Sequence, residues 1–121
     1  MKVSKLLLLA CIVFATTLNS CKKEEPEATV VIEKYSQSYL GFDDSWSDLM
    51  VEYSVINTGD VKIKEITTYF QVTTKDGTII TDSRTEYDIP GNEQLPTLTV
   101  ILMDNQEFDV VKITTFDINN N

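Results

Sequence analysis

The 121-residue chain contains no histidine, and its only cysteines are Cys11 and Cys21. Without histidine there can be no Ser-His-Asp or Cys-His catalytic arrangement and no zinc site of the mixed Cys/His type. Glycine is scarce, with four residues in all, and none falls in a phosphate loop, a dinucleotide fingerprint or an EF-hand loop. Basic residues are few: 10 Lys plus Arg stand against 19 Asp plus Glu, a net charge of −9. That balance argues against nucleic acid, whose phosphates must be neutralised by cations, and against lying flat on anionic lipid. Carboxylate-pair chemistry survives on paper, but nothing in the sequence selects one pair among the acids. The expectation is a protein that is not an enzyme and uses no cofactor.

What is present starts with an address. Two lysines, Lys2 and Lys5, precede the uncharged run LLLLACIVFATTL at residues 6 to 18. The run is too short for a membrane-spanning helix, which needs about 20 residues, and it has the shape of a secretory leader. It ends Leu18-Asn19-Ser20-Cys21, followed at once by Lys22, Lys23, Glu24 and Glu25. This stretch resembles the signal of bacterial lipoproteins, whose lipobox ends at the modified cysteine. The resemblance implies cleavage before Cys21, a diacylglycerol thioether on its sulfur and a further acyl chain on the new N terminus. Two or more chains hold a protein stably at a membrane, at about 0.8 kcal/mol per buried CH₂.

Residues 21 to 27, CKKEEPE, further resemble the export signal of surface lipoproteins in the Bacteroidetes, which implies an outer-membrane location with outward display. Read from composition alone, the same residues are a charged, flexible spacer. Loss of Lys2 and Lys5 with the leader would take the net charge from −9 to −11. Cys11 would leave too, so the mature chain could form no internal disulfide and would depend on packing. The division expected is a signal peptide over 1–20, a lipidated tether over 21–27, a domain over 28–118 and a polar tail over 119–121.

The domain reads as strands and turns. ATVVIEKY (28–35) is β-branched, and LMVEYSVINTGD (49–60) places Leu49, Val51, Tyr53 and Val55 on one face before an Asn57–Asp60 turn. In VKIKEITTYFQVTT (61–74) the apolar parity slips between Ile63 and Ile66, which predicts a β-bulge at Lys64–Glu65; the alternative leaves Val61 and Ile63 to the turn. Asp76-Gly77 marks a tight hairpin, and Pro90-Gly91-Asn92 a break. The run 78–89 starts as a strand and becomes polar, and strands follow over 95–103, with Pro96 at a start or an edge, and 107–118. Residues 36–48 are a long loop or an irregular edge strand.

No helical stripe appears outside the leader. The pattern is that of an all-β, antiparallel two-sheet sandwich of about seven strands, with a small barrel as its rival. The stretch from Val51 to Phe116 resembles the small immunoglobulin-like domains of the FxLYD type, through the Asn57–Gly59 turn, Ile63, Ile66, Phe70 and Asp76-Gly77. That resemblance implies adhesion, assembly or scaffolding and carries over no catalytic residues.

Two features could bind. Tyr39, Phe42 and Trp46 crowd one irregular segment, where exposed aromatics would anchor a protein or sugar contact; otherwise they plug one end of the sandwich. Asp43, Asp44 and Asp48 supply oxygens that a calcium ion would accept, although a solvated acidic loop is the commoner meaning. The short threonine runs ITTYFQVTT and KITTF match β propensity on a solvated face. The function expected is a lipid-anchored interaction or accessory module of the cell envelope, contacting the membrane through its anchor and an envelope protein or glycan. The alternative is a calcium- or carbohydrate-binding surface lipoprotein.

Overall fold

The structure, a computed structural model, describes residues 25–41 and 45–121. The leader, Cys21, the first part of the tether, and Phe42, Asp43 and Asp44 lie outside the described residues. Six strands follow one another: β1 (Ala28–Ser36), β2 (Leu49–Asn57), β3 (Ile63–Thr74), β4 (Ile79–Ile89), β5 (Gln94–Ile101) and β6 (Phe108–Ile118). They form two three-stranded antiparallel sheets, ordered β1-β2-β5 and β4-β3-β6. This is a sandwich and not a closed barrel, and the described residues contain no helix. Among the described residues of the possible seventh strand, 36–48, the pairing outside β1 is an isolated bridge between Tyr39 and Trp46.

The inward faces follow the alternation. Leu49, Val51, Tyr53 and Val55 of β2 meet Ile63, Ile66, Phe70 and Val72 of β3, with Ile89, Ile101 and Met103 completing the buried core. Tyr53 and Phe70 touch across the two sheets as an edge-to-face pair, with ring centroids 5.0 Å apart. Truncating such a fully buried ring costs about 3–5 kcal/mol, a large share of the ~5–15 kcal/mol typical of a domain.

The parity slip in β3 is real, but no residue is inserted at Lys64–Glu65. Ile63 pairs with Ile89 and Glu65 with Tyr87, in one unbroken register that runs to Thr73 and Ile79. Both strands change phase together there. Asp88 takes φ 57, and the Lys64 N–H leaves the ladder to donate to the Asn120 side chain at 2.8 Å. Asn120 also donates to the Lys62 carbonyl at 2.8 Å, so its amide stands in for backbone and extends the β3–β6 ladder. Bulges occur elsewhere, beside Glu33 in β1 and beside Asp109 and Thr114 in β6.

The turns use their expected residues. Gly77 sits at φ 91 and donates to the Thr74 carbonyl at 3.0 Å, closing a short hairpin that needs a left-handed residue. Gly91 has a different reason: a Cβ there would lie 2.4 Å from the Asp60 carbonyl oxygen. This close approach locks the Pro90–Asn92 turn onto the Asn57–Asp60 turn, where Asn92 donates to the Gly59 carbonyl at 2.9 Å. Buried Asn57 holds the same end, donating to the carbonyls of Val61 and Ile89 at 2.8 and 3.1 Å.

Candidate functional site

The two ends of the sandwich are distinct. One gathers the entry to β1, the turns around Gly59 and Gly91, and Asn119–Asn121. The other gathers the 37–48 connection, the β3–β4 hairpin and the β5–β6 turn. The aromatic segment therefore lies at the end opposite the N-terminal segment, separated by nine-residue β1, a span of about 30 Å at the rise of a strand.

The described residues 37–41 and 45–47 pair as a small hairpin of their own. Leu40 donates to the Ser45 carbonyl and Ser47 to the Ser38 carbonyl, both at 2.9 Å. The Ser47 hydroxyl also accepts the Ser38 N–H at 2.8 Å. Tyr39 and Trp46 face each other with ring centroids 5.2 Å apart and planes tilted by 56°. Tyr39 is 52% exposed and Trp46 half-buried, so neither ring belongs to the core. The hairpin is held to the sandwich by Gln37. Its amide donates to the carbonyls of Ser47 and Gln106 at 2.8 and 2.7 Å, and its oxygen accepts the Phe108 N–H at 2.8 Å.

The floor beside Trp46 is built by two turns. Asp104 and Asn105 both take positive φ, 52 and 64, while Gln106 donates to the Met103 carbonyl at 3.1 Å. Two left-handed residues in succession make a tight reversal, and asparagine and aspartate tolerate that conformation best after glycine. Lys75 donates to the Glu107 carbonyl at 2.9 Å, joining this turn to the β3–β4 hairpin. There the Thr74 hydroxyl donates to Asp76. That bond, and after it the Thr78 N–H, holds the Asp76 carboxyl below its usual range. A pocket of about 190 Å³ opens among Trp46, Thr74, Asp76, Asn105, Gln106 and Glu107.

The predicted aromatic residues thus divide. Tyr39 and Trp46 come together, and Phe42 lies outside the described residues. Of the acids considered for calcium, Asp43 and Asp44 also lie outside them, while Asp48 accepts the Met103 N–H at 3.0 Å and fastens the hairpin base to the end of β5. Among the described residues no group of three or more Cys, Asp or Glu is placed to hold a metal ion, and no helix is long and apolar enough to cross a membrane. The surface offers ring faces, amides and carboxylates, which is binding chemistry. Sequence reasoning missed Gln37, Asn105 and Gln106: a polar residue in a polar loop carries no signal until its distant partner is known. Comparison with protein-family models, curated proteins and solved structures finds no match.

Proposed function

We propose that the protein is a non-catalytic module of the bacterial cell envelope, held by lipid at Cys21 to the outer membrane, that presents a binding surface for an envelope protein on its Tyr39–Trp46 hairpin. The carrying observation is placement: the paired rings stand at the end of the sandwich remote from the tether, outside the core. A ring needed only to plug that end would be buried in it. Strand order β1-β2-β5 against β4-β3-β6 supports the immunoglobulin-like part of the reading.

Co-purification from membranes tests it. Trp46→Ala should abolish recovery of the partner while the melting temperature falls by only a few degrees, as a half-buried ring outside the core predicts. Unfolding by Trp46→Ala, with Tyr39→Ala leaving recovery unchanged, would make the rings structural. Cys21→Ser should release the protein from the membrane fraction; its retention would refute the anchor.

The pocket beside Trp46 favours one second reading. An aromatic ring flanked by Asp76, Asn105 and Glu107 is chemistry suited to a sugar, while the calcium alternative rests on Asp43, Asp44 and Asp48. A ligand that binds only the folded form must raise the melting temperature, so titration with calcium and with envelope oligosaccharides separates this reading from the first.

A further inference from the structure

A three-stranded sheet has two edges, and the sandwich therefore has four. All four carry devices that limit edge-to-edge pairing, but β5 has only Pro96, near its start. β1 is bulged beside Glu33, and β6 twice, beside Asp109 and Thr114. β4 turns Asp82, Arg84 and Glu86 toward the interior side, opposite Phe70, Thr68 and Ile66 of β3. β5 differs. QLPTLTVILM, residues 94 to 103, carries no charge in a chain of net charge −9, and its register with β2 is unbroken from Leu49–Ile101 to Ile56–Gln94.

The phase of that ladder shows which groups are free. Asn57 donates to the Glu93 carbonyl at 2.9 Å, in line with the β2–β5 register. Hydrogen-bonded and non-bonded pairs alternate along an antiparallel ladder. Pro96, opposite Ser54, therefore falls in a non-bonded pair, with its ring nitrogen aimed away from β2. The N–H groups of Leu98 and Val100 are aimed away from β2 in the same phase. On the outer face Leu98, Val100 and Leu102 are 48%, 39% and 74% exposed, and Met50 stands opposite Val100 on β2. A groove of about 560 Å³ separates this edge from β4, lined by Ile80, Asp82, Arg84, Val100 and Leu102.

We propose that β5 pairs antiparallel with β5 of a second copy, about a two-fold axis at Val100, to make one six-stranded sheet across the dimer. Val100 then bonds to its own equivalent, Leu98 lies across from Leu102, and Pro96, which lacks a donor, stays outside the central pairs. An axis perpendicular to the sheet keeps the outer faces continuous, so the apolar side chains of both copies meet. Self-complementarity favours a second copy: about Val100, the exposed Leu98 of each copy meets the exposed Leu102 of the other. Two acidic domains repel each other across their charged surfaces, whereas β5 brings them together without adding like charge. Because paired strands run antiparallel, the N termini leave opposite ends of the joined sheet, and two copies on one membrane would have to lie along it. The inference does not depend on the hairpin's role.

Sedimentation of the full chain in excess detergent, over a range of concentrations, tests the pairing. The native chain should sediment as a dimer, more tightly as salt screens the net charge. Val100→Pro removes a donor that makes no bond within the sheet, and Val100→Glu places two like charges at the axis; each should weaken association by about tenfold or more. Val110→Glu, at a still more exposed valine on bulged β6, should leave association unchanged. If Val100→Pro fails to fold, Val100→Glu decides alone. A monomer at every concentration, or a dimer that survives the Val100 substitutions, overturns the proposal. So does a monomer that captures a different protein in a Val100-dependent way, which would assign the edge to a foreign strand.

Discussion

Along the flank between β1 and β6, Tyr35 meets Phe108 edge-to-face at 5.4 Å, both strands are bulged, and Gln37 crosses between the sheets to backbone groups. Along the flank between β4 and β5, the registers are unbroken and the contacts are made by side chains alone: Tyr53 donates to Glu86 at 2.8 Å, Thr97 to the same oxygen at 3.3 Å, and Arg84 to Thr99 at 2.6 Å. The first flank is closed and bent away from neighbours. The second has a polar seam, an open groove and one edge, β5, that carries no charge and only Pro96 to block it. A sandwich must close its sides to keep water from the core, but side-chain bonds across a gap do it without covering backbone, and so leave an edge usable.

Gln37→Ala should break this contrast most. It removes the clasp of the closed flank and leaves the Phe108 N–H and Gln106 carbonyl without their partner, at about 2–3 kcal/mol. A loss of that size lowers the melting temperature of a domain this small by about 10 °C or more; a change under about 2 °C would show that the flank is held by Tyr35 and Phe108 instead. Tyr53→Phe tests the open flank. It should cost about 1 kcal/mol, since Glu86 keeps Thr97 and access to water.

The same residue predicts a pH effect. Burial, and then the hydrogen bond to Glu86, raise the Tyr53 phenol above its ordinary value of 10.0. The folded state thus holds this proton more tightly than the unfolded state. Its contribution is intact below the unfolded pKa and is lost as pH rises from there toward the folded one, at a slope of at most ~1.4 kcal/mol per pH unit. Denaturant midpoints above pH 10 should fall more steeply for the native chain than for Tyr53→Phe; parallel curves would refute the assignment. Arg84→Ala should be the mildest change, within about 0.5 kcal/mol, because its side chain is exposed and donates to the Thr99 hydroxyl. A larger loss would mean that the polar seam acts as a unit.

Much of this was legible residue by residue. The alternation in LMVEYSVIN and ITTYFQV marked the inward faces of β2 and β3, and Asp76-Gly77 marked the hairpin. Other features were not, for reasons that are physical. β4 turns polar after Ile80 and is nonetheless a strand to Ile89, because β3 supplies its whole ladder and the open flank hydrates its inward charges. The bulge expected at Lys64–Glu65 rested on one strand's parity, whereas register belongs to a pair of strands, and β4 shifts phase in step. Of the candidate site, the crowding of Tyr39 and Trp46 was visible, but not the tilted contact of their rings, nor Gln37 reaching to Gln106 and Phe108.

The amino-acid order by itself determined an all-β domain, the residues that face its core and the absence of any histidine-based chemistry, because periodicity and composition are local properties of a chain. Only the tertiary structure decided which strands are neighbours, which edges are blocked and which end carries the paired rings. Those depend on contacts between residues far apart in sequence, where each hydrogen bond is defined by two partners and one of them is invisible from the other's position.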